Sequence, residues 1–116
     1  MSKQVSMYHN PRCQKSRETL ALLRERGVEP ELVYYLDEPP SAARVKELVA
    51  LLGVEPHAIL RPKEAAYREL GLSPKSSLAE IARAVAAHPS LLERPIVVAG
   101  KRARIGRPPE AVLELF

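Results

Sequence analysis

The chain of 116 residues contains one cysteine, Cys13. A lone thiol cannot close an internal disulfide, so the fold has to be held by packing, as expected in a reducing cytoplasm. Any disulfide chemistry at Cys13 must take its second thiol from another molecule. No apolar run approaches the ~18 residues of a membrane span. The N-terminus has neither a signal-peptide core nor a cleavage pattern, and the mature chain is expected to begin near Met1. Internal repeats, low-complexity tracts and flexible linkers are missing. So are a metal-ligand cluster, a phosphate-binding loop and a dinucleotide fingerprint, and no bound metal or cofactor is expected.

What is present suffices for one domain over residues 1 to 116 with a real but small core, since 46% of the residues are hydrophobic. The net charge of +4 is mild and its basic residues are spread along the chain. That distribution argues against nucleic-acid or lipid binding. Twelve arginines against six lysines suit planar oxyanion recognition, although a GC-rich genome accounts for most of such an excess.

Residues 4 to 9, QVSMYH, alternate as a short strand. The polar loop NPRCQKS leads into RETLALLRER, with Leu20 and Leu23 on one face and Gly27 as the helix stop. ELVYYL, 31 to 36, favours a strand and completes a βαβ unit. From Pro39 the pattern turns helical: Ser41 is an N-cap, Val45, Leu48, Val49 and Leu52 recur on one face, and Gly53 closes the helix. A second helix is expected around Lys63 to Leu70. A third follows the capping box of Ser77 and Glu80, carries Leu78, Ile81 and Val85, and ends at His88-Pro89. PIVVAG, 95 to 100, reads as a strand buried on both faces, with RARIG as its hairpin partner beyond Gly100-Lys101. Pro108-Pro109 then opens a last helix with Val112, Leu115 and Phe116. The fold class is α/β: a small mixed sheet flanked by helices, with an all-helical insertion at about 40 to 90 between the second and third strands.

Cys13 lies where this pattern would place it ahead of a helix. The unpaired N–H groups of a first turn favour a thiolate, and Arg12, Lys15 and Arg17 would add positive charge. The same N–H groups form a cradle for an anion, so nucleophile and oxyanion site coincide. The bland alternative, a cysteine packed as a small hydrophobe, fits poorly with the polar flanks Asn10, Pro11, Arg12 and Gln14. Ser16 completes a C-x-x-S pattern, and its hydroxyl is available to the thiolate or a bound anion. His9 can orient the loop, act on the thiol or simply end the strand. His57 and His88, beside prolines at helix boundaries, are read as structural.

Taken together, HNPRCQKSRETL at 9 to 20, ILRPKE at 59 to 64, HPSLLERPIVV at 88 to 98 and IGRPPE at 105 to 110 resemble the glutaredoxin-coupled arsenate reductase family, ArsC, and its close relatives. The resemblance runs over nearly the whole chain. It implies a thioredoxin-like fold with a helical insertion. It implies that Cys13 is the nucleophile that attacks arsenate, that Arg61, Arg94 and Arg107 hold the oxyanion, and that Pro95 is a cis-proline. His9, Asn10, Ser16 and Arg17 would be supporting residues. The cycle so implied reduces arsenate to arsenite, with glutathione as cosubstrate and glutaredoxin as partner. The protein itself is expected to be a cytoplasmic monomer that binds neither nucleic acid nor membrane. Two alternatives share the fold: a thiol–disulfide or deglutathionylating protein with another substrate, and a regulator of the Spx kind that binds RNA polymerase, from which Ser16 removes the usual C-x-x-C switch.

Overall fold

A computed structural model describes residues 4–116 of the chain. The order of elements is β1 (Val5–Tyr8), α1 (Gln14–Glu25), β2 (Glu31–Val33), α2 (Ala42–Leu52), α3 (Ala65–Glu69), α4 (Leu78–Ala87), β3 (Ile96–Ala99) and β4 (Arg102–Ile105), closed by a 3-10 helix over Pro109–Leu115. Shorter 3-10 turns occupy Pro56–Ile59 and Pro89–Leu91. The chain forms two units: one from the residues up to Tyr35 together with Arg94–Phe116, the other from Leu36–Glu93.

The first unit holds the sheet, in the order β2-β1-β3-β4. β1 runs parallel to β2, as the α1 crossover requires, and antiparallel to β3, which pairs antiparallel with β4. All four residues of β3 are buried, which explains why PIVVAG shows no polar alternation. Gly100, at φ +63, turns the β3–β4 hairpin in the left-handed region that a glycine adopts without penalty. α1 lays Leu20 and Leu23 on the sheet residues Met7, Val97 and Ala99, and Val112 and Leu115 join the same cluster. Each buried Leu, Val or Met side chain of the cluster contributes about 1.5–3 kcal/mol. α1 ends as the sequence indicates. Gly27 has φ +77, its N–H donates to Arg24 O, and the Val28 N–H donates to Leu23 O, a Schellman closure.

Two elements differ from expectation. β2 stops at Val33 instead of running through ELVYYL, because its one partner, β1, ends at Tyr8, opposite Val33; Tyr35 lies in a turn. The last helix is 3-10 and not α. Its buried residues Pro109, Val112 and Leu115 recur every third position, which is one face of a threefold helix, and Phe116 is left exposed.

The second unit carries the helices expected between the second and third strands. Ser41 caps α2 by accepting from the Arg44 N–H, and Gly53 closes it at φ +67. Ser77 and Glu80 form the complete capping box of α4. α2 packs on α4; the buried residues are Val45, Leu48, Val49 and Leu52 in the first and Ile81, Ala82, Ala84 and Val85 in the second. α3 is a single short helix, narrower than the expected segment. His57 Nε2 lies 2.8 Å from the Tyr67 hydroxyl, which ties Pro56–Ile59 to α3 and gives His57 a structural partner.

Candidate active site

The loop after β1 is built from its own hydrogen bonds. The His9 N–H donates to Val33 O at 2.9 Å, after which the chain leaves the sheet. Asn10 then organises the turn twice: its Oδ1 accepts from the Arg12 N–H and its carbonyl from the Cys13 N–H, both at 3.0 Å. Arg17 reaches back from the first turns of α1 and donates to Pro11 O at 2.9 Å. The result is Cys13 at the N-cap of α1, in extended conformation at φ −95 and ψ 123. A cysteine thus stands where Ser, Thr, Asp or Asn is usual.

Cys13 is 8% exposed, and burial by itself pushes its thiol up. Four influences outweigh that: the Ser16 N–H, the charge of Arg94, the Lys15 N–H and a hydrogen bond from the Arg94 guanidinium; the thiol is held below its ordinary value. Neither N–H makes a formed capping bond to the side chain, so they act on the thiolate as directed dipoles. The charges of the flanking cations Arg12, Lys15 and Arg17, expected to matter, are not among the main causes, and neither is that of Arg107; Arg94 is the cation that counts most. Lys15 engages Glu18 at 3.6 Å and Arg17 engages Pro11 O.

The remote cation arrives on the β3–β4 hairpin. Arg94 precedes β3 and Arg107 follows β4. Arg107 Nε donates to Arg94 O at 2.8 Å and its Nη2 points at Cys13 Sγ from 3.8 Å, while Arg94 Nε and Nη1 are buried. The Arg94–Pro95 peptide is cis, as the resemblance implied, and so is Arg107–Pro108, which nothing in the sequence announced. Two guanidinium groups and a helix N-terminus therefore share one thiol, an arrangement suited to a tetrahedral anion next to a sulfur nucleophile.

His9 and Ser16 form the layer beneath. His9 Nδ1 lies 2.6 Å from Ser16 Oγ, which also accepts the Asn10 N–H at 3.0 Å. Ser16 is fully buried and His9 nearly so. The Ser16 hydroxyl thus braces the loop. Burial, then the charges of Arg24 and Arg17, push the His9 imidazole below its ordinary value, so it is neutral at neutral pH. Its ring also contacts Tyr34, with centroids 5.9 Å apart.

Arg61 belongs to the second unit. Its N–H donates to Leu91 O and its guanidinium pairs with Glu64, three residues on in the same ILRPKE stretch. Sequence reasoning missed Gly106 and Thr19. Gly106 is the point where the hairpin base meets α1, and its only local trace is its place between β4 and Arg107. Among the described residues there is no group of three or more His, Cys, Asp or Glu placed to hold a metal, and no helix is long and apolar enough to cross a membrane.

A mixed β2-β1-β3-β4 sheet, with a thiol capping the first helix and a cis-proline opening β3, defines a thioredoxin-like protein with a helical insertion. Within that class the chain belongs to the ArsC family, which matches it over residues 8–115. The uncharacterized protein YfgD of Escherichia coli K12 is 56% identical over 118 aligned positions, covering 99% of this chain and 98% of the relative. An arsenate reductase of Neisseria meningitidis serogroup A is 45% identical over 111 positions, covering 94% of this chain and 95% of its own. The structure of an arsenate reductase from Vibrio cholerae superposes with a TM-score of 0.94 at 47% identity and covers all of both chains.

Proposed function

We propose that this protein is an arsenate reductase in which Cys13 is the nucleophile. The observation that carries the reading is the Cys13 thiol at the α1 N-cap, lowered in pKa by Arg94 and the Ser16 and Lys15 N–H groups and approached by Arg107 Nη2 at 3.8 Å. Arsenate reductases among the relatives raise the same substrate.

In the proposed cycle the Cys13 thiolate bonds to arsenic(V) and an arsenate oxygen leaves as water after protonation. Arg94 and Arg107 offset the charge of the oxyanion and of the adduct. Glutathione thiolate then attacks the adduct. The two thiol sulfurs become one Cys13–glutathione disulfide, their two electrons pass to arsenic, and arsenite departs. Glutaredoxin with a further glutathione returns Cys13 to the thiol; a chain with one cysteine depends on such outside thiols. Arg61 enters this scheme on the family resemblance alone. Phosphate, with nearly the same shape and charge, is expected to occupy the anion site as an inhibitor. Selectivity then comes from chemistry, because two-electron reduction has no ready counterpart at phosphorus. The reading places the protein in the cytoplasm, where glutathione is abundant.

The test is arsenate-dependent NADPH consumption with glutathione, glutathione reductase and glutaredoxin supplied, comparing the protein with Cys13→Ser. Turnover that requires Cys13 is expected. Absence of arsenate-dependent turnover in a folded protein whose thiol still titrates low would overturn the substrate and leave the thiol.

A further inference from the structure

The geometry points to Gly106 as a positioning residue that holds the two arginines against the thiol. Three observations meet there. The Gly106 N–H donates to Pro95 O at 2.8 Å, which joins the two ends of the β3–β4 hairpin next to Arg94 and Arg107. A Cβ added at Gly106 would lie 2.6 Å from Thr19 Oγ1, 3.2 Å from Thr19 Cγ2 and 2.8 Å from Pro95 Cγ. Thr19 is fully buried in the helix that Cys13 caps.

None of these neighbours yields readily. Thr19 Oγ1 donates to Lys15 O at 2.8 Å, so turning it away breaks that bond in the same first turns whose Lys15 and Ser16 N–H groups face the sulfur. The Pro95 ring is closed and buried. With Thr19 on one side and Pro95 on the other, a side chain at 106 is relieved only by moving the hairpin base off α1. Arg107 is the next residue, so its Nη2–Sγ approach and its Nε bond to Arg94 O shift with that base. Gly106 is not among the glycines with positive φ, so no left-handed backbone demands a glycine here, and the close approach of Thr19 and Pro95 is what does.

This inference rests on Cys13 being the reactive thiol, and its test does not use arsenate. The alkylation rate of Cys13 is followed against pH, with and without inorganic phosphate as a competing anion, in the full chain and in Gly106→Ala, Thr19→Ala and the double variant. Gly106→Ala is expected to raise the midpoint by about 0.5 to 1 pH unit and to weaken phosphate protection. The double variant, relieved of both Thr19 contacts, is expected to recover part of the shift. A folded Gly106→Ala with the native midpoint and native protection overturns the proposal. If that variant does not fold, the double is read against Thr19→Ala: a raised midpoint supports the proposal and an equal one overturns it. An ordinary thiol midpoint in the native protein is a separate result, since it defeats the reading of Cys13 itself.

Discussion

Replacing Arg107 by alanine removes two contacts at once, the 2.8 Å bond from Nε to Arg94 O and the 3.8 Å approach of Nη2 to Cys13 Sγ. A unit charge about 4 Å from a thiolate stabilises it by roughly 1 kcal/mol when screened as in water and roughly 4 at an effective dielectric constant near 20. Arg107 is exposed and the N–H···S separation is long, so the lower end applies. Arg107 is not among the main causes of the lowered pKa, so at about 1.4 kcal/mol per pH unit the Cys13 midpoint should rise by no more than about 0.7 unit. Arg107→Lys keeps a charge but, with one ammonium, cannot span both the carbonyl and the sulfur, and should fall between. The assay is iodoacetamide alkylation across the pH range, read as a midpoint. A rate at one pH understates the change, because a less acidic thiol gives a more nucleophilic thiolate. A profile for Arg107→Ala superimposable on the native one, in a folded protein, refutes the electrostatic reasoning.

Two further expectations concern the layer below the thiol. Ser16→Ala strands the buried His9 Nδ1 and the Asn10 N–H, which share its hydroxyl, and should cost about 1–3 kcal/mol in urea unfolding; a change below about 0.5 kcal/mol removes the brace from the account. His9 has a lowered pKa in the fold, so on acidification the unfolded chain takes up a proton at the ordinary histidine value, near 6.5, before the folded one does. Stability therefore falls as pH drops from about 6.5 toward the folded value. His9→Asn, whose amide can keep a bond to Ser16 without titrating, should flatten this decline in urea midpoints measured across that range, and an unchanged slope excludes His9 as its source.

The legible features of the sequence were those with local causes. Ser41 with Gly53, Ser77 with Glu80 and Gly27 are capping signals decided within a few residues, and the first of each pair starts its helix while Gly53 and Gly27 end theirs. The placement of Cys13 at an N-cap follows from a polar loop running into a periodic segment. Features set by tertiary partners were hidden. The length of β2 depends on where β1 ends. Gly106 is required by Thr19 and Pro95, and no window around residue 106 contains Thr19. The source of the cation was misjudged for the same reason: Arg12, Lys15 and Arg17 are neighbours in the chain, but Lys15 pairs with Glu18 and Arg17 holds Pro11 O, while Arg94 is brought in by the hairpin.

That difference bears on how the thiol is activated. Sequence neighbours stay near Cys13 whether or not the chain is folded, so charges supplied by Arg12, Lys15 and Arg17 would lower the thiol pKa in both states. The Lys15 and Ser16 N–H groups exist as a converging pair only when α1 is formed, and Arg94 and Arg107 approach only when the sheet is formed. The depression of the Cys13 pKa is therefore a property of the folded state, and by linkage it stabilises that state. The contribution is full above the pKa of the unfolded thiol and disappears as pH falls through the folded value. An unfolded or newly made chain carries an ordinary, less reactive thiol. Reactivity and the oxyanion donors appear together, because the hairpin that delivers the arginines also completes the environment of the sulfur.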